Sequence, residues 1–227
     1  MKKFALIVAG GSGSRMRQAV PKQFTELAGK PILMHTFNAF IKYDPEIEFV
    51  LVLPEDQMDQ WKLLCKKYRF NVKYKLAKGG ETRFQSVKNG LELVPGEGIV
   101  FIHDGVRPMV SLETIENCYQ MALKKGNALP VVPVTESLRT IDGNSNKAVN
   151  RSQYLLVQTP QTFSSVIIKR AYSQSSSSSF TDDASVLEQA GHAIHLVEGN
   201  RDNIKITYPE DFTLAKVLLE NKMKNRD

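Results

Sequence analysis

The stretch FALIVAGGSGSRMRQAVPKQF, residues 4–24, decides how the whole chain is read. Phe4 to Ala9 form an unbroken apolar run of strand length, far short of the roughly 18 apolar residues that a membrane span needs. Met1-Lys2-Lys3 ahead of it imitates the start of a signal peptide, but the run is too short for one and meets glycines and Arg15. A strand ending in Gly10, Gly11 and Gly13 lets backbone N–H groups approach an anion closely, because no Cβ stands in the way. Gly11 and Gly13 match the first two glycines of G-x-G-x-x-G, yet Met16 occupies the third and residues 29–35 supply no acid for a ribose. G-x-x-x-x-G-K-[ST] is absent as well. What distinguishes this glycine loop is Arg15 and Lys22, two fixed positive charges placed to surround a polyphosphate.

Outward from that loop, apolar strand-like runs alternate with helical periodicity, the pattern of an α/β fold with a mostly parallel central sheet flanked by helices. FALIVA, EFVLVLP, VKYKLA, GIVFIHD and NALPVVPV are the strand candidates. Between them, apolar residues recur at helical spacing at Ile32, Leu33, Phe37, Phe40 and Ile41, then at Met58, Trp61, Leu64 and Cys65, then at Phe84, Val87 and Leu91. In such sheets ligands sit beyond the carboxyl ends of the strands. That rule selects the loop after Ala9, GGETR at 79–83 and HDGVRP at 103–108.

With 227 residues, 42% of them hydrophobic, one domain over 1–227 is expected. Residues 135–158 break the pattern, with short β-branched stretches around the turn DGNSN, and read as a hairpin arm that a second subunit would stabilise. The serine run at 173–179 reads as a surface loop, and TDDASVLEQAG as a helix capped by Thr181 or Asp182. The net charge of +6 is spread over helix faces such as Lys62, Lys66 and Lys67, which argues against nucleic acid as a partner. The basic tail KMKNRD is a fraying helix end. Cys65 and Cys118 form no C-x-x-C or Cys/His ligand spacing, so no disulfide framework or zinc site is signalled and a cytoplasmic location is expected.

AGGSGSRM with PKQF, then GGETR, HDGVRP, QTPQTF, TDDAS and VEGNRDNIKIT occur in this order. Together they resemble the 2-C-methyl-D-erythritol 4-phosphate cytidylyltransferases, over about Ala5 to Phe212. The resemblance implies a Rossmann-like nucleotidyltransferase fold, with Ala9, Gly10, Gly11 and Gly13 in the CTP loop and Arg15 and Lys22 stabilising the transition state. It further implies CTP contacts by Gly80, Glu81, Ser86, Asp104 and Lys205. Asp104, Arg107, Thr159 and Lys205 match positions around the phosphate and polyol. Ser137 and Arg151 would reach the site from the arm of a neighbouring subunit, so that a homodimer is the expected form. Ser137 replaces the family's common threonine and Glu81 its common aspartate. AGG stands for the usual AAG, a feature closer to ribitol 5-phosphate cytidylyltransferases, whereas ESLR and the compact carboxyl-terminal end favour the methylerythritol enzymes.

No serine–histidine–acid set, activated cysteine or metal cage is visible among the histidines and cysteines, and this chemistry requires none. The nucleophile is an oxygen of the substrate's own phosphate, whose second pKa of about 6 leaves it largely deprotonated at neutral pH. Bringing two anions together calls for several cations, and Mg²⁺ carried mainly by the CTP phosphates keeps most of its waters and needs few protein ligands. Two other classes remain as alternatives. A non-catalytic nucleotide-binding regulator should lack Arg15 or Lys22, and a nicotinamide-dependent dehydrogenase should carry the third glycine and a downstream acid.

Overall fold

The computed structural model describes residues 1–10, 20–175 and 180–224, the side chains of the last two excepted. Gly11, Gly13 and Arg15, together with most of the serine run, therefore lie outside the described residues.

Strand β1 (Lys3–Val8) shows how the core is built. Side chains alternate across a strand, and here both faces are buried. Ala5 and Ile7 join one apolar cluster with Phe37, Phe40 and Trp61, while Phe4 and Leu6 join another with Val87, Ile168 and Leu187. β4 (Glu48–Leu53) and β6 (Ile99–Asp104) divide their side chains in the same way, which is why each reads as a continuous apolar run instead of an alternating one. Helices α1 (Ile32–Tyr43), α2 (Met58–Lys67) and α4 (Leu112–Lys125) contribute to the first cluster. Helices α3 (Arg83–Glu92), α5 (Ser165–Gln174) and α6 (Asp183–Gln189) contribute to the second. A short hairpin, β2 (Glu26–Leu27) with β3 (Lys30–Pro31), follows the Lys22 segment, and α7 (Pro209–Lys224) closes the chain.

The eight-stranded sheet runs β10-β7-β11-β6-β1-β4-β5, with β12 (Leu196–Glu198) also on β7. β5 is Tyr74–Lys78, β7 Asn127–Pro133, β10 Leu155–Val157 and β11 Gln161–Ser164. β10 and β11 run antiparallel to β7, and β11 antiparallel to β6, while the pairings β1–β4, β1–β6, β4–β5 and β7–β12 are parallel. The chain leaves β1 towards β4 and β5 and returns on its other side at β6. The order thus reverses between β1 and β6, and ligand crevices in such sheets open at this point.

The mostly parallel sheet flanked by helices is the fold class that the sequence pattern predicts. The arm is there too: β8 (Leu138–Asp142) and β9 (Ser145–Val149) pair antiparallel, closed by a two-residue turn with Gly143 at φ +55°. The hairpin itself ends at Val149. Residues 155–157 run back to pair with β7 in the main sheet.

Candidate active site

The carboxyl end of β1 is pinned before any ligand arrives. The Ala9 amide donates to the Val52 carbonyl at 3.0 Å, and the Ala9 carbonyl accepts Gln23 Nε2 at 3.0 Å. Gln23, almost wholly buried, also donates to Gln57 Oε1. Lys22, in the short 3₁₀ turn Lys22–Phe24, is therefore carried on a segment anchored to the end of β1. Ala9, Gly10 and Lys22 line a cavity of about 390 Å³ together with Gly80, Glu81 and Ser86 from the turn between β5 and α3.

That turn has a local cause. Thr82 caps α3, its hydroxyl accepting the Gln85 amide at 3.1 Å, and the Ser86 hydroxyl accepts the Gly80 amide at 3.0 Å. The chain at Gly80 passes so close to the helix that an added Cβ would stand 2.1 Å from Gln85 Cγ, so the position demands glycine. Gly10 is less constrained, with Ser86 Oγ an ordinary 3.5 Å from where its Cβ would lie.

Asp104 ends β6 beside this cavity. Its Oδ2 receives Lys205 Nζ at 3.0 Å and Arg107 Nε at 3.2 Å. Burial alone would raise the pKa of this carboxyl, but the Lys205, Arg83 and Arg107 cations outweigh it and hold Asp104 well below the usual carboxylate range. Arg107 also donates through Nη1 to the Asn203 carbonyl at 2.8 Å, and Asn203 Nδ2 donates to the Thr159 carbonyl at 2.7 Å. Segments far apart in sequence are so bound into one charged cluster.

Thr159 departs from the simple expectation of a ligand-lining hydroxyl. Its Oγ1 accepts the Asp104 amide at 3.1 Å and lies 2.9 Å from His103 Nδ1. His103 Nε2 lies 3.0 Å from the Arg107 carbonyl, which can only accept, so Nε2 carries the ring proton and Nδ1 takes the Thr159 hydroxyl hydrogen. Thr159 borders the second cavity, yet both ends of its hydroxyl are committed to holding the Asp104–Arg107 turn.

This second cavity, of about 280 Å³, is bordered by Arg107, Thr159, Gln161, Thr181 and Asp182. Arg83, Asp104 and Lys205 belong to both cavities. The structure thus brings together Ala9, Gly10, Lys22, Gly80, Glu81, Ser86, Asp104, Arg107, Thr159 and Lys205. Ser137 and Arg151 stand apart, exposed on the arm, with the Arg151 guanidinium bonded to the Thr135 carbonyl. Neither lines either cavity.

Sequence reasoning passed over Arg83. Its guanidinium pairs with Asp183 through two bonds of 2.7 and 2.6 Å while facing both cavities. One signal existed: a cation on the first residue of a helix works against the helix dipole and calls for a local anion. Both cysteines are free, and burial raises their pKa values, that of Cys118 to about 12, so neither is a thiolate nucleophile. No helix among the described residues is long and apolar enough to cross a membrane.

Two adjoining cavities with three charged side chains in common suit a reaction that joins two anionic substrates. The family model for 2-C-methyl-D-erythritol 4-phosphate cytidylyltransferase matches residues 4–221. The enzyme of that name from Bacteroides thetaiotaomicron is 52% identical over 96% of this chain and 100% of its own length. That from Geobacillus kaustophilus is 35% identical over 96% of this chain and 97% of its own. Among solved structures, 4-diphosphocytidyl-2C-methyl-D-erythritol synthase from Anaerococcus prevotii superposes with a TM-score of 0.81 at 28% identity, covering 96% of this chain and 98% of that one. The Francisella tularensis 2-C-methyl-D-erythritol 4-phosphate cytidylyltransferase gives 0.78 at 29% identity, covering 96% and 99%. With the match running through both cavities and almost the whole length, the chain belongs to the 2-C-methyl-D-erythritol 4-phosphate cytidylyltransferase family.

Proposed function

We propose that the chain transfers CMP from CTP to 2-C-methyl-D-erythritol 4-phosphate, with CTP in the cavity at the end of β1 and the polyol phosphate in the adjoining one. The observation that carries this reading is the pair of cavities meeting at Asp104, Lys205 and Arg83. The substrate phosphate oxygen attacks the α-phosphorus of CTP, a new P–O bond forms, and the bond to the β-phosphate oxygen breaks to release pyrophosphate. No protein base is needed, because the attacking phosphate is already largely ionised.

The protein's task is to place the two anions and to neutralise charge as it moves towards the leaving group. Lys22 and Arg15 serve the triphosphate and the transition state. Gly80, Glu81 and Ser86 shape the nucleotide pocket with Ala9 and Gly10. Lys205 and Arg107, held on Asp104, receive the phosphate of the second substrate, and Thr159 fixes the turn that carries them.

No cluster of three or more His, Cys, Asp or Glu side chains among the described residues could hold a metal ion. A Mg²⁺ ion bound chiefly by CTP phosphates would find its protein contact in Asp104, the carboxylate common to both cavities. When bound, the ion would offset phosphate charge.

The arm gives the reading its quaternary part. Ser137 and Arg151 are exposed, and beside the arm the strand residues Leu155, Leu156 and Val157 remain 42–54% exposed, an apolar edge that calls for cover. A second copy supplies it, and the arm then delivers Ser137 and Arg151 to the partner's polyol site. Free cysteines suit the reducing cytoplasm.

The test is pyrophosphate release by the purified protein with CTP and Mg²⁺, offering 2-C-methyl-D-erythritol 4-phosphate and D-ribitol 5-phosphate in parallel. A strong preference for the first is expected. Preference for the second would move the protein to another polyol phosphate with the same mechanism, and silence with both would overturn the catalytic reading.

A further inference from the structure

Arg83 is the first residue of α3 and Asp183 the first of α6, and they meet as a two-bond fork. Asp183 is fully buried, and its Oδ1 also accepts the Tyr172 hydroxyl at 2.6 Å. Gln161 Oε1 accepts both the Asp183 and the Ala184 amides, at 3.0 and 2.8 Å, and Gln161 Nε2 reaches Asp182 Oδ2 at 3.0 Å. A buried ion pair is a poor device for stability alone, since desolvation offsets much of its attraction. What a planar fork does well is fix distance and orientation.

The segments leading into the two helices border different cavities. The start of α3 continues the Gly80–Glu81 turn of the nucleotide side, and the start of α6 continues Thr181 and Asp182, which border the other. We propose that the Arg83–Asp183 pair is a positioning strut between the two halves of the active site, through which ordering of the nucleotide turn by CTP also orders the Thr181–Asp182 cap where the second substrate seats. This rests on the reading of the larger cavity as the CTP site. Neither residue need touch a reacting atom. The strut makes the second site better formed once the first is filled, a coupling carried by local ordering.

Hydrogen–deuterium exchange of the intact protein, with and without CTP and with no polyol phosphate present, tests this directly. CTP should slow exchange in the peptides covering 80–90 and also in those covering 181–189, the latter by about fivefold or more, the lower end of ordinary coupling between sites. In Arg83→Lys, which keeps the charge but loses the fork, protection of 80–90 should persist while that of 181–189 is lost. Should that variant not fold, Asp183→Asn serves instead.

Protection of 80–90 without any at 181–189 in the unmutated protein would overturn the strut while leaving the CTP site intact. Remote protection that survives in the variant would overturn it too. Absence of protection at both segments would instead overturn the CTP-site reading and the strut with it. Steady-state kinetics add a readout that a purely structural role would not move. Arg83→Lys should raise the KM of the polyol phosphate at saturating CTP, whereas Tyr172→Phe, which leaves the fork in place, should not.

Discussion

The ammonium of Lys205 lies 3.0 Å from Oδ2 of Asp104, joining the segment after β12 to the end of β6. Before substrate arrives this carboxylate balances the charge of Lys205 and Arg107 and holds both side chains at the junction of the two cavities. The arrangement keeps cations preorganised without an anionic ligand, which is how a charge-stabilising site avoids reorganising during reaction.

Asp104→Asn tests that preorganisation, since it preserves shape and removes the charge. We expect kcat to fall on the order of 10²-fold, as when a transition-state donor is displaced. Activity would be assayed below the unfolding temperature of the variant. A variant with kcat within about twofold of the parent would show that Lys205 and Arg107 find their places without the carboxylate.

Lys22 lines the larger cavity together with Asp104 and Lys205, and is carried on the turn that Gln23 anchors to Ala9. Lys22→Ala, and likewise Arg15→Ala, should lose on the order of 10²-fold or more in kcat while CTP affinity changes less. If the loss appears only in KM, these cations bind the ground state and the transition state alike, and the role assigned to them fails.

How much of this was legible in the sequence follows from what each residue does. Asp104 and Arg107 could be found because they stand where a buried apolar run meets a turn at the end of a parallel strand. Lys22 could be found because a lysine on a glycine loop is unusual. Arg83 looked like an ordinary helix-surface cation, since its partner Asp183 is 100 residues away and reads only as an acid in the first turn of a helix. Asn203 was hidden for a similar reason. It is fully buried and bridges Thr159 to Arg107, yet an asparagine in NRDNIKIT carries no mark of burial in a local window. Strands β10 and β12 are three residues each, too short for periodicity to reveal, and only their pairing with β7 makes them strands. Local pattern thus exposed the elements and the strand-end residues, while long-range polar pairing stayed invisible.

His103 gives the protein an acid-sensitive point. Burial pushes its imidazole down to about 4, so the fold refuses a proton that the unfolded chain accepts near 6.5. Between those values the unfolded state binds more protons, and stability therefore falls as pH falls from 6.5 towards 4, by about 3 kcal/mol in all. Asp104, also held low, adds to the loss in the same direction at more acidic pH. Denaturant titrations at pH 7 and pH 4.5 should show the parent losing about 2–3 kcal/mol more than His103→Asn over that interval. Parallel declines in the two proteins would remove His103 from the account.

The arm makes the most demanding prediction, because it concerns a residue that its own chain leaves idle. Arg151 touches neither cavity, and its guanidinium is bonded within the root of the arm. If each arm completes the partner's site, a dimer of one Arg151→Ala subunit and one Lys22→Ala subunit assembles one fully intact site, because both lesions fall in the other one. Two parental dimers, each inactive, should then regain up to half the activity per mixed dimer once subunits are exchanged. Differently tagged subunits purified in tandem give mixed dimers free of both parents, so the recovered rate can be assigned to them alone. If those dimers stay as inactive as their parents, Arg151 works within its own chain. A variant that shortens the β8–β9 hairpin without touching Arg151 separates the remaining roles. Retained dimers with a raised KM for the polyol phosphate would show that reach, and not association, is what the hairpin supplies.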